Sequence, residues 1–216
     1  MTQTGTMIYV VDDDASVREA IRNLLASVGL AASVFESTEA FLAAPRADVP
    51  SCLVLDVRLP GLGGLEFQEQ LAQSGLRIPI VFITAHGDIP MTARAMKAGA
   101  VEFLPKPFQM DELLAAVRQA VERDQEVRAA TRERSGLRAR FGALTGRERE
   151  VMDLVTAGLG NKQIAARLGL AQITVKVHRR QVMHKMQAGS LAELVRMAAQ
   201  LEPPQDERAG SKKWSR

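Results

Sequence analysis

The stretch Ile8-Tyr9-Val10-Val11-Asp12-Asp13-Asp14 sets a short apolar run directly against three carboxylates. Four apolar residues in a row, with no polar alternation, read as a strand buried on both faces. Outward from it, similar short runs recur at Ala31–Phe35, Cys52–Leu55, Ile80–Ile83 and Val101–Leu104. Amphipathic stretches of helical length separate and follow them, at about Ala15–Val28, Thr38–Ala44, Gly64–Gln73, Pro90–Ala98 and Asp111–Arg123. Strand and helix thus alternate five times. That order predicts an α/β domain over residues 1–123 with a doubly wound, five-stranded parallel sheet. In such sheets the functional crevice lies beyond the carboxyl ends of the strands.

The polar residues fall where that crevice is expected. Asp12 and Asp13 follow the first strand, Asp56 ends the third, Thr84 ends the fourth and Lys106 follows the fifth. Gathered carboxylates repel one another, and a hard divalent cation with oxygen ligands relieves the repulsion. Mg2+ suits an open carboxylate site that keeps several waters. A lysine and a hydroxyl beside such a pair complete a set able to hold a phosphoryl group, with a carboxylate as nucleophile. Asp14 reads instead as the start of the next helix, where its charge suits the helix dipole.

Charge divides the chain. Residues 1–124 carry 10 Lys and Arg against 16 Asp and Glu, whereas residues 125–216 carry 18 against 9. A basic half after an acidic half suits a polyanionic partner such as nucleic acid. Residues 124–140, rich in Arg, Glu and Ala, read as a linker, helical at first and interrupted near Ser135-Gly136. Beyond it no strand signal remains. Thr145-Gly146-Arg147-Glu148 is a capping box that opens a helix ending near Gly158. Asn161 is expected to cap a short helix ending before Gly169, and a longer helix runs from about Gln172 to Met186. Ser190-Leu191-Ala192-Glu193 is a second capping box and opens a last helix in a domain spanning 141–202. The tail from Pro203-Pro204 to residue 216 is polar, charged and expected to be disordered.

Between Asp153 and Glu193 there is no acidic residue, while Lys162, Arg167, Lys176, Arg179, Arg180 and Lys185 all lie in that span. Helical periodicity places Val175, Val182 and Met186 toward the other helices, with Arg179 on the same stripe and His178 beside it. Lys176, Val177, Arg180 and His184 fall on the opposite face. An apolar Val177 on a basic face is awkward in water but natural against a thymine methyl in a major groove. Lysine and arginine beside it can read guanine edges or hold phosphates.

Other chemistries find little support. Cys52, the only cysteine, lies within an apolar run and reads as a buried, inert thiol. His178 and His184 are not i, i+4 partners and have no cysteine or carboxylate nearby, which argues against zinc. No run approaches the length that spans a bilayer and the start lacks a targeting pattern, so no membrane partner is expected and the chain reads as cytoplasmic.

Asp12-Asp13, Asp56, Thr84, Phe103 and Lys106-Pro107, in this order and each near a strand end, resemble the receiver domain of two-component response regulators. The resemblance implies that Asp56 is the phosphoacceptor, and that Asp12, Asp13, Asp56 and the backbone carbonyl of Arg58 surround Mg2+. It implies that Thr84 and Lys106 contact the phosphoryl group, that Phe103 is a switch aromatic moving with Thr84, and that the bond before Pro107 is cis. Arg58 and His86, on the rim, would tune hydrolysis of the acyl phosphate. Leu144–Val151, Asn161-Lys162-Gln163-Ile164-Ala165 and Thr174-Val175-Lys176-Val177-His178 resemble the four-helix LuxR-type domain of the NarL/FixJ regulators. That likeness implies base contacts from Lys176, Val177 and Arg180, and backbone contacts from Asn161, Thr174 and Lys185. It also implies a dimer contact around Leu191–Leu201.

The expected function is a phosphorylation-switched transcription regulator. Its partners would be a sensor histidine kinase, double-stranded DNA, a second copy when phosphorylated, and RNA polymerase. It would be no enzyme beyond its own phosphoryl transfer and dephosphorylation. Two alternatives are a receiver-like dimerisation module that works without phosphorylation, and an aspartate-nucleophile phosphatase of the haloacid-dehalogenase class. The phosphatase would need its nucleophile on the first strand and an acidic cluster after a late one, where Thr84-Ala85-His86-Gly87 stands.

Overall fold

A computed structural model describes residues 5–85 and 87–201. His86 and the tail beyond Leu201, both assigned roles above, lie outside the described residues. The chain divides into two compact units, Met1–Ala129 and Ala130–Arg216.

The first unit holds strands β1 (Met7–Val11), β2 (Ala31–Phe35), β3 (Ser51–Asp56), β4 (Ile80–Thr84) and β5 (Glu102–Pro105). They form one parallel sheet in the order β2-β1-β3-β4-β5. Helices α1 (Ala15–Ser27), α2 (Thr38–Ala43), α3 (Gly64–Ser74) and α4 (Ile89–Lys97) connect the strands, and α5 (Met110–Gly142) follows the last. Alternate strand residues enter two cores. Ile8, Val10, Cys52, Val54, Val81 and Ile83 pack with Ile21 and Leu25 of α1 and Leu113 and Val117 of α5. Tyr9, Val11, Leu53, Leu55 and Phe82 pack on the other face with Phe41, Phe67 and Leu71. Burial on both faces is the physical reason the central strands carry unbroken apolar runs. Cys52 is fully buried, and desolvation, helped by the negative charge of Asp124, pushes its thiol far above the ordinary range.

At the opposite end of β3 from Asp56, the Ser51 backbone N–H donates to the buried Asp124 carboxylate at 2.8 Å. Arg128 donates to the same oxygen at 2.7 Å and also pairs with Asp48. These bonds fasten the start of β3 to α5.

The segment 124–140 corrects the expected linker. Instead of breaking near Ser135-Gly136, the helix runs on to Gly142. A mid-helix glycine costs only about 1 kcal/mol relative to alanine. Burial of the neighbouring Leu137, 2% exposed in the core of the second unit, outweighs that cost.

The second unit adds α6 (Gly146–Thr156), α7 (Asn161–Leu168), α8 (Gln172–Met186) and α9 (Leu191–Leu201). Val151, Met152, Val155, Ile164, Val175, Val182, Met186 and Leu194 fill its core. Thr145 and Glu148 form the expected capping box, with Thr145 N–H donating to Glu148 Oε2 at 2.7 Å. Gly169 turns the chain between α7 and α8 at φ +64°, a left-handed conformation that favours glycine. Two cap readings change. Gly160, not Asn161, caps α7, its N–H donating to Gln163 Oε1 at 2.8 Å. At α9, Ser190 accepts from Glu193 N–H, but the Glu193 carboxylate reaches back to Gly189 N–H rather than to Ser190.

Candidate functional sites: an acidic pocket and a basic helix face

Strand register builds the pocket. Val11 pairs with Leu55, Asp56 with Ile83 and Thr84 with Pro105. Asp12, Asp56, Thr84 and Lys106 therefore emerge side by side at the carboxyl edge of the sheet. Lys106 N–H donates to the Thr84 carbonyl at 2.6 Å, and the Lys106-Pro107 peptide bond is cis. The Lys106 ammonium lies 2.6 Å from Asp12 Oδ2 and 2.7 Å from Asp56 Oδ2. The remaining oxygens are also held. Asp12 Oδ1 accepts from Asp14 N–H at 2.9 Å, and Asp56 Oδ1 from Arg58 N–H at 3.0 Å. Asp14 caps α1 by accepting from Ser16 N–H. Asp12 and Asp56 are buried, whereas Asp13 is exposed.

Ligand oxygens of Asp12, Asp13 and Asp56 lie within 4.8 Å of one another. Lys106 offsets one of the three negative charges. Arg18 approaches as well, but its guanidinium donates to the Asp12 backbone carbonyl. An all-oxygen donor set with uncompensated negative charge fits a hard divalent cation, so this is an acidic pocket of the Mg2+-binding type. Burial raises the pKa of Asp12, and the hydrogen bonds from Lys106 and Asp14 only partly oppose it. Burial pulls Lys106 down, but its bonds to Asp12 and Asp56 prevail and leave its pKa raised.

Thr84 is fully buried, and Phe103 is buried with its ring 6.1 Å from that of Phe82. Gly87 lines this region, and the sequence reading passed over it. A Cβ there would stand 2.7 Å from Phe103 Cε1 and 3.1 Å from Thr84 Cγ2. Its missing side chain is the space that the inward Phe103 ring uses.

The basic face lies on α8. Val175, Val182 and Met186 are buried as the periodicity requires, and Lys176, Val177, Arg180 and His184 are exposed. Asn161 accepts from Arg179 Nη1 at 2.6 Å, which ties α7 to α8. Lys185 pairs with the buried Glu148 at 2.7 Å. That hydrogen bond, with the one from Thr145 N–H, holds the Glu148 carboxyl below its ordinary value. Arg147 donates to the Leu168 carbonyl at 2.8 Å and steadies the turn that presents α8. Among the described residues, no helix is long and apolar enough to cross a membrane.

Comparison with known proteins finds a family match over each of the two regions. Residues 8–118 match the response regulator receiver domain, and residues 142–198 match the bacterial regulatory proteins of the luxR family. Nodulation protein W of Bradyrhizobium diazoefficiens is 55% identical over 92% of this chain and 87% of its own length. The transcriptional regulatory protein FixJ of the same organism is 42% identical over 92% and 96%. A solved structure of the response regulator StyR superposes with a TM-score of 0.85 at 52% identity, covering 91% of this chain and 99% of that one. The phosphatase reading has no place beside these matches. The chain belongs to the two-component response regulators of the NarL/FixJ family, with a receiver domain followed by a LuxR-type DNA-binding domain.

Proposed function

We propose that a sensor histidine kinase phosphorylates Asp56, and that the phosphorylated chain pairs with a second copy and binds specific DNA in the cytoplasm. The outcome is regulation of transcription, by activation on the family's pattern, with RNA polymerase as a further partner. The observation that carries this reading is the convergence of Lys106 on Asp56 and Asp12 beside a third carboxylate.

An Asp56 carboxylate oxygen attacks the phosphorus of a phosphohistidine. The P–N bond breaks, its electron pair returns to the imidazole nitrogen, and an acyl phosphate remains on Asp56. Mg2+, when bound, supplies charge neutralisation for the phosphoryl oxygens. Asp12, Asp13, Asp56 and the backbone carbonyl of Arg58 would hold it. Lys106 transfers its hydrogen bonds from the carboxylates to the new phosphoryl group, and the Thr84 hydroxyl donates to the same group. Phe103 follows Thr84 and alters the surface by which receivers pair. The receiver thereby catalyses its own phosphorylation, and water attacking the phosphorus of the acyl phosphate later releases inorganic phosphate and restores the Asp56 carboxylate. The exposed Leu191 and Val195 of α9 supply an apolar contact between DNA-binding domains.

On DNA, Lys176, Val177 and Arg180 meet base edges, and Asn161, Thr174 and Lys185 meet the backbone. Lys185 has three donors, so it can reach a phosphate while keeping Glu148. In domain terms, residues 1–123 act as the receiver, 124–140 as the linker and 141–202 as the DNA-binding head.

Incubation with a small acyl or amido phosphate donor tests the switch. Wild type should acquire a Mg2+-dependent phosphoryl adduct, seen by mass spectrometry, that Asp56→Asn lacks. An adduct of equal yield in Asp56→Asn would contradict the assignment.

A further inference from the structure

Exposure on α8 singles out a residue absent from the base contacts above. Ile173, in the first turn of α8, is 67% exposed, and Val177, one turn on, is 53% exposed. The other aliphatic side chains of the helix serve the core: Val175, Val182 and Met186 are buried and Met183 packs against them. Ile173 takes no part in that core. At i, i+4 spacing, Ile173 and Val177 share one face. That face also carries the exposed Lys176 and Arg180, in a span free of acidic residues.

We propose that Ile173 reads DNA sequence, forming with Val177 a two-residue apolar stripe that packs on thymine methyl groups in the major groove. The proposal rests on the DNA-binding reading of α8 and deepens it. A recognition helix presents its N-terminal residues to base edges, and Ile173 stands there. The thymine methyl is the apolar group that the major-groove edge of a base pair offers, and a basic surround selects DNA as the occupant. Two side chains are too narrow a patch to anchor a membrane or a protein partner. Four helical residues advance about 6 Å along the axis. Base pairs rise about 3.4 Å each. The two residues therefore meet thymines one or two steps apart.

The test uses the phosphorylated full-length chain and a duplex that it selects from a random-sequence library. Each thymine is then replaced by deoxyuridine, which removes the methyl and keeps every hydrogen-bonding group. Wild-type affinity should fall roughly four-fold at each of two thymines per half-site, the effect of withdrawing one buried methyl. Ile173→Ala should lose the methyl dependence at one of them and keep it at the other, and Val177→Ala the reverse. Because Ile173 is exposed, an unchanged thermal midpoint in Ile173→Ala checks the fold. The proposal is overturned if Ile173→Ala keeps the full wild-type uracil pattern, or weakens all duplexes alike. Failure of wild type to select any sequence would overturn the DNA-binding reading itself.

Discussion

Two buried carboxylates, one in each domain, hold a lysine at nearly the same distance, yet their pKa values shift in opposite directions. Asp12 lies 2.6 Å from Lys106, and Glu148 lies 2.7 Å from Lys185. Burial beside Asp56 raises the Asp12 pKa despite its lysine. Lys185 and the Thr145 N–H lower that of Glu148. In the receiver, burial makes the ionised form of Asp12 costly to maintain even beside an ammonium. In the DNA-binding domain, one carboxylate satisfies a helix cap and a lysine, and the ionised form is welcome. An ion pair is therefore a poor guide to purpose by itself: the first belongs to an acidic pocket of the Mg2+-binding type, the second to a helix cap beside α8.

The largest expected effect separates the domains by chemistry. Lys106→Ala should reduce phosphorylation of Asp56 by a small phosphate donor at least ten-fold, and Lys185→Ala should leave it unchanged. Labelling rates of the two variants measure this, and an equal loss in both would erase the distinction. Next comes Lys176→Ala, expected to cost roughly 1–3 kcal/mol at the selected site and to relax base preference. Binding isotherms on specific and random duplexes check it, and equal losses on both would reduce Lys176 to a phosphate contact. Lys185→Ala should instead weaken all duplexes alike and flatten the salt dependence.

Stability sharpens the comparison further. Glu148, with its lowered pKa, contributes stability above the ordinary glutamate value of about 4.3, and loses it as pH falls through the folded value. Asp12, with its raised pKa, has the opposite sign: its contribution declines as pH rises through the folded value. At pH 7, Glu148→Gln should therefore cost about 1–2 kcal/mol through the weakened cap and lost ion pair. Asp12→Asn should cost nothing or stabilise. Urea unfolding of the full chain at pH 7 reads both, and a larger loss in Asp12→Asn would reverse the electrostatic assignment. Asp124→Ala should cost about 1 kcal/mol or more by leaving the buried Ser51 N–H unpaired. The same titration measures it, and an unchanged midpoint would show that water replaces the carboxylate.

The sheet was legible because each central strand is buried on both faces, and an unbroken run such as Cys52–Leu55 has few other homes. The pocket was legible for a related reason: parallel strands deliver all their carboxyl ends to one edge, so Asp12, Asp56, Thr84 and Lys106 converge by topology. What depends on distant partners was not legible. The helix through Gly136 follows from burial of Leu137, which no local propensity announces. Glu148 and Lys185 are 37 residues apart, and Ser51 and Asp124 are 73 apart. Gly87 matters only because the Phe103 ring turns toward it. Ile173 is set apart only by its exposure, which the sequence pattern of α8 does not announce.

The coupling between the two chemistries is the central claim. Its most direct test is the affinity of the full-length chain for its selected duplex, with and without phosphate donor and Mg2+, at fixed salt. If phosphorylation of Asp56 gates DNA binding, the donor should tighten wild-type binding about ten-fold or more and leave Asp56→Asn unaffected. Equal affinity with and without donor in a fully phosphorylated wild type would contradict it, as would the same gain in Asp56→Asn.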